Sequence, residues 1–156
     1  MKVYTSPEII NTNPDLFLAG GISNCPLWQD EIIGLLEDLD ITVTNPRRNE
    51  LITLEGEIAR VQISWEFEAL ELSGAILFWF PKETLCPITL LELGKMMMKD
   101  KPLFVGVHPE YKRAFDVEFQ LSLERPEVKV VNSIHELVQQ VKKHYRKINT
   151  SFKGER

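Results

Sequence analysis

Two glutamates sit where apolar neighbours change what a carboxyl group can do. In "PITLLELGKMMM" (87–98) Glu92 is the one acid in an otherwise apolar run. At helical spacing its neighbours are Ile88 and Met96 four residues away, and Thr89 and Lys95 three away. A carboxylate so placed is poorly solvated, which makes it a stronger nucleophile. The ordinary alternative is a solvated helix residue paired with Lys95. In "QISWEFEALELSGA" (62–75) Glu66 stands between Trp65 and Phe67. An acid flanked by aromatics can have its pKa raised and deliver a proton; its ordinary alternative is a surface charge paired with a lysine or arginine. Two glycines in "FLAGGISNCPLWQ" (Gly20, Gly21) allow a ligand close to the backbone, or simply a tight turn. The arginines of "TNPRRNE" suit a phosphate or carboxylate, or a solvated basic loop. Asp116 in "RAFDVEFQ" and His108 each also read as ordinary surface or structural residues.

The elements that must position these residues are legible as alternating strands and helices. Apolar runs at 16–19, 41–44, 75–80, 102–107 and 128–131 predict strands. Helical patterns occupy 26–39, 57–72, 87–98, 110–124 and 133–148, the last capped by Ser133 with Glu136 three residues on. The alternation predicts an α/β fold: a three-layer, flavodoxin-like, doubly wound parallel sheet of five strands in the order 2-1-3-4-5. Ligands of such sheets lie beyond the carboxyl ends of the strands, where the winding reverses. That places Gly20, Gly21, Asn45 to Arg48 and the segment after Pro81 at the expected site. The helix over 57–72 carries two apolar stripes: Ile58, Val61, Trp65, Ala69 and Leu72, and Ile63, Phe67 and Leu70. A helix apolar on two sides is buried on two sides, so a homodimer or higher homo-oligomer is expected.

The 156 residues predict one domain over 1–148 and a flexible tail over 149–156. A net charge of −5 argues against a nucleic-acid polymer as partner. Cys25 and Cys86 form neither a disulfide framework nor a metal motif. No apolar run is long enough for a membrane span and no signal peptide is evident, so a cytoplasmic protein without metal or cofactor is expected.

Taken in order, "FLAGGISNCPLWQ", "NPRR", "WEFEAL", "AILFWF", "PITLLELG" and "RAFDVEFQ" resemble the nucleoside 2-deoxyribosyltransferase superfamily, in particular its nucleoside 2-deoxyribosyltransferase-like branch, from about Phe17 to Gln120. The resemblance implies an enzyme, a transferase or hydrolase, that breaks the N-glycosidic bond of a nucleoside or nucleotide with retention, through a covalent glycosyl intermediate. Glu92 falls on the family's nucleophile. Glu66 falls on its base-side carboxylate, where an aspartate is usual. Phe17 and Cys86 stand where family members often carry a tyrosine and an aspartate. The expected substrate-binding positions are Phe17, Gly20, Gly21 and Trp28, with Asn45, Arg47 and Trp65. Asp116 is expected to reach the sugar 5′ end from a neighbouring subunit. A non-catalytic nucleotide-binding protein on the same fold is the alternative.

Overall fold

Every residue of the central strands is buried, and alternate side chains feed two separate cores. The computed structural model describes residues 1–48 and 55–153. Strand β2 (Leu16–Gly20) sends Phe17 and Ala19 to one face of the sheet and Leu16 and Leu18 to the other. Strand β4 (Ala75–Phe80) does the same, with Ile76, Phe78 and Phe80 opposite Ala75, Leu77 and Trp79. The period of two along a strand dictates this split, and an unbroken apolar run such as "AILFWF" fits a strand covered on both faces.

The other strands are β1 (Lys2–Thr5), β3 (Thr42–Asn45) and β5 (Leu103–Val107). All pairings are parallel, in the order β1-β3-β2-β4-β5. Helices α2 (Glu57–Leu72), α3 (Pro87–Met97) and α4 (Ala114–Glu124) cover the first face. Helices α1 (Trp28–Leu35) and α5 (Ile134–Lys153) cover the second. This is the expected three-layer, five-stranded, doubly wound sheet. Counted from Leu16, the strands follow the expected order 2-1-3-4. The segment 128–131 makes one parallel bridge, Gly106 to Val131, where the next strand was expected. Lys2–Thr5 adds a ladder at the opposite edge, with Val3 paired to Val43.

Helix α2 has the bounds its sequence predicts. Lys101 closes its C-terminal end by donating to the carbonyls of Leu70, Glu71 and Ser73 at 3.0, 2.6 and 2.8 Å. Helix α1 is shorter than its pattern: after Leu35 the chain tightens into turns, with Leu39 N–H donating to Leu36 O. Helix α4 starts four residues later than expected, because turns through His108, Tyr111 and Ala114 precede it. Ser133 and Glu136 form the expected reciprocal cap of α5, which continues to Lys153. The stripe of α2 that is buried differs from the predicted ones: it is Ala59, Gln62, Trp65, Ala69 and Leu70. Ile58, Val61, Ile63 and Phe67 remain exposed.

Candidate functional site

Glu66 and Glu92 come from different helices and line the same cavity. Helix α3 opens with Cys86 in the left-handed region (φ 49°) and Pro87 in the first turn, a sharp entry from the end of β4. Leu93 and Met96 anchor α3 on the sheet, which leaves Glu92 at its flank toward α2. On α2, Trp65 and Ala69 face the sheet and Glu66 turns toward α3. The cavity holds about 400 Å³ and lies at the carboxyl ends of β2 and β4, where the winding reverses. Gly20, Gly21 and Ser23 form one rim, Pro46 another, and Thr84, Cys86 and Thr89 the third. A second, more apolar lobe of about 510 Å³ continues between α2 and α3, past Ile63, Phe67, Leu70 and Leu91. Glu66, Glu92 and Ile88 are common to both lobes. The size suits a small organic ligand.

Burial and mutual repulsion dominate the electrostatics. Burial, and then the negative charge of Glu66, push the Glu92 carboxyl up to about 8, against a smaller opposing pull from Lys95. Burial also raises Glu66, opposed by a hydrogen bond from Gln62 and by the charge of Arg48. Two interacting carboxyls of this kind titrate as a coupled pair, each held above its ordinary range. The helical ion pair between Glu92 and Lys95 is not what forms. Lys95 Nζ lies 2.6 Å from Glu71 and 3.9 Å over the Phe67 ring.

The rims are held by interactions that the sequence does not announce. Trp28 is buried beneath the glycines, and its Nε1 donates to Gly21 O at 2.7 Å. A Cβ on Gly20 would lie 2.4 Å from the Trp28 ring and 2.5 Å from Trp79 O, so only glycine fits there. Asn45 is buried and accepts the Arg47 N–H at 3.0 Å. The Arg47 guanidinium donates to Pro26 O, Gln29 Oε1 and Cys25 O at 2.7, 3.1 and 3.1 Å. It thereby binds the segment after β3 to the segment after β2. On the third rim the Tyr111 hydroxyl donates to Leu85 O at 2.8 Å. Cys86, with its thiol pushed up to about 12 by burial, stays neutral in the wall.

The sequence-predicted residues therefore separate into groups. Glu92, Glu66, Gly20 and Gly21 line the cavity. Trp28, Asn45 and Arg47 sit behind its rims. Phe17 is a core residue of β2, 1% exposed, and lies outside the cavity wall because its side chain points into the α2–α4 face of the sheet. Trp65 also lies outside it, donating from Nε1 to Glu8 O at 2.7 Å. Asp116 is exposed on α4, paired with Arg113 at 3.0 Å, and borders a separate groove between α3 and α4. Sequence reasoning placed Pro46, Thr84 and Thr89 at the site only as members of the segments after β3 and β4, and did not single out Gln62, Ser23 or Tyr111. Of these, Gln62 left one trace, a polar side chain in step with the buried row of α2.

Among the described residues no group of three or more His, Cys, Asp or Glu side chains is arranged to hold a metal ion. No described helix is long and apolar enough to cross a membrane. The matching family model is described as nucleoside 2-deoxyribosyltransferase like and covers residues 13–111, from just before β2 to Tyr111 on the third rim. No curated protein matches the chain.

Proposed function

The chain belongs to the nucleoside 2-deoxyribosyltransferase-like family, and from that premise we propose that it cleaves or exchanges the N-glycosidic bond of a deoxynucleoside or nucleotide through a glycosyl-Glu92 intermediate. One observation carries the reading: two acid side chains from separate helices converge on one cavity at the switch point of the sheet, each with its proton affinity raised by burial. With one proton on the pair, one carboxyl is free to attack and the other can act as an acid. The Glu92 carboxylate bonds to C1′ while the C1′–N bond breaks, its electron pair leaving with the base. Glu66 supplies the proton that the departing base takes up. In the second half, Glu66 receives a proton from the incoming base or water, which attacks C1′ and releases Glu92. This is the double displacement of retaining glycosidases.

The exposed Ile58, Val61, Ile63 and Phe67 of α2 support a homo-oligomer in which this helix meets a second copy. Asp116, outside the cavity of its own chain, would then serve the sugar 5′ end in the partner's cavity.

The test is incubation with a deoxynucleoside and a second free base. A new nucleoside identifies a transferase, and free deoxyribose identifies a hydrolase. A stable Glu92 adduct, seen as a mass increase of one deoxyribosyl unit and absent from Glu92→Ala, supports the intermediate. The raised proton affinity of Glu92 favours a second reading, a non-catalytic nucleotide-binding protein. That reading requires binding that survives Glu92→Ala, with no turnover in either protein.

A further inference from the structure

A chain of donors runs from two distant segments to Glu66. Arg48 Nε donates to Ser6 Oγ at 3.2 Å. Ser6 Oγ donates to Gln62 Oε1 at 2.6 Å. Gln62 Nε2 then donates to Pro46 O at 2.8 Å and to Glu66 Oε1 at 2.7 Å. Ser6 and Gln62 are both buried, each 5% exposed. The amide of Gln62 has one workable orientation. Pro46 O can only accept, so it must face the NH₂ group. That leaves Oε1 facing Ser6, and because an amide oxygen only accepts, the Ser6 hydroxyl gives it its proton while accepting from Arg48. Both amide protons are thus assigned, and the second points at Glu66. Gln62 can offer that carboxyl a donor and nothing else.

We infer that Gln62 is the positioning residue of the carboxyl pair: it fixes the Glu66 side chain at the cavity and, by presenting only a donor, favours the ionised form of Glu66 and leaves the proton to Glu92. The inference rests on the carboxyl pair proposed above as the reactive groups. Its physical content is simple. A donor aimed at a carboxylate stabilises the ionised form, and a chain of aligned hydrogen bonds strengthens its last member. The charged groups around Glu66 act in different directions. Burial disfavours the carboxylate and Arg48, from the segment after β3, favours it; the charge of Glu66 in turn raises Glu92 on α3. Lys95 acts on Glu92. Cys86, from the segment before α3, contributes no charge near neutrality. Among the described residues Gln62 donates directly to Glu66, and it is itself clamped by Ser6 and Pro46. Before substrate arrives Glu66 is therefore held as the proton acceptor. Substrate must draw the proton across the pair before Glu92 can attack.

The decisive measurement is the titration of the glutamate carboxyls by ¹³C NMR in the full chain, with Glu66→Gln used to assign the resonance. Gln62→Met keeps the length of the side chain and removes every hydrogen bond. It moves the Glu66 midpoint upward by about one pH unit, the size expected for one lost bond to a charged group. Ser6→Ala, which leaves the Gln62 donor in place but frees its far end, moves it in the same direction by less. If Gln62→Met does not fold, Ser6→Ala decides alone. A Glu66 midpoint unchanged in a folded variant overturns the inference. The pH profile of deoxynucleoside cleavage moves with the midpoint and KM changes little. A shifted titration in a protein that turns over no nucleoside refutes the proposed activity and leaves the positioning role standing. Turnover with an unshifted titration does the reverse.

Discussion

Lys95 is paired with Glu71 of α2 at 2.6 Å and not with Glu92, three residues earlier on its own helix. The bond ties α3 to α2, the two helices that carry the carboxyl pair. It also leaves Glu92 without a contacting cation among the described residues. A surface ion pair of this sort contributes little to stability. Its structural effect is to direct the Lys95 charge away from Glu92.

Replacing Glu92 separates function from folding. On the proposed mechanism Glu92→Gln abolishes glycosyl transfer, with a fall of at least about 10³-fold in kcat, since the amide cannot form the glycosyl ester. The same change stabilises the protein at alkaline pH. The folded carboxyl holds its proton up to about pH 8, whereas an unfolded glutamate loses it near 4.3. The folded state therefore binds more protons and loses stability as pH rises between those values. Thermal melts show the variant and the parent alike near pH 4 and the variant higher by several degrees at pH 8–9, corresponding to about 1–3 kcal/mol.

A shared proton gives kcat/KM a bell-shaped dependence on pH. Activity falls on the alkaline side near pH 8, where the pair loses its last proton, and on the acid side, where both carboxyls are protonated. Glu66→Gln removes the alkaline limb. A profile flat from pH 6 to 10 contradicts a single proton divided between these two groups.

The two glycines fail differently. Gly20→Ala drives a methyl into Trp28 and the Trp79 carbonyl, and is expected to cost about 1–3 kcal/mol by overpacking, read from denaturant melts. At Gly21 the new methyl meets the Thr84 Cγ2 and Cys86 Sγ atoms at 2.6 and 2.8 Å, side chains on the opposite rim. Gly21→Ala narrows the mouth, so KM rises while the melting temperature changes less than in Gly20→Ala.

Self-association through α2 is read by sedimentation. Ile63 is 62% exposed, so a lysine there leaves the fold intact and disrupts an apolar contact between copies. Ile63→Lys sediments as a monomer and melts as the parent does at low protein concentration. A parent that is itself monomeric at micromolar concentration removes this element of the proposal.

Substrates with a 5′-phosphate are disfavoured. The Arg47 guanidinium is occupied by three protein acceptors, and among the described residues the lobe between the rims is lined by Glu66 and Glu92 and by no lysine or arginine; Lys95 lines the other lobe, where Glu71 holds it. A deoxynucleoside is turned over at least about tenfold more efficiently than its 5′-monophosphate, the difference expected for about 1.4 kcal/mol of repulsion.

The sheet and both acids were readable from the chain because each depends on local pattern. "AILFWF" can only be a covered strand, and Glu66 and Glu92 stand out by their apolar neighbours. What escaped depends on partners far apart in sequence. Gln62 reads as an ordinary polar helix residue until Ser6, 56 residues away, is found against it. Strand β1 is four residues long and two of its members are only half-buried, a pattern too weak to compete with the longer apolar runs. Arg47 was read as an anion binder because a guanidinium fork fits a carboxylate. The same fork fits backbone carbonyls, and the choice between them is made by the fold. Phe17 follows the alternation of its own strand into the core, which family position alone does not reveal.

Arg47 on one side and Tyr111 on the other grip the backbone around the opening with the protein alone. Capture of a small molecule at the proposed site is thus expected to demand little further ordering of these two rims. Its speed is set by how readily the molecule finds the gap, and its selectivity by a shape already cast.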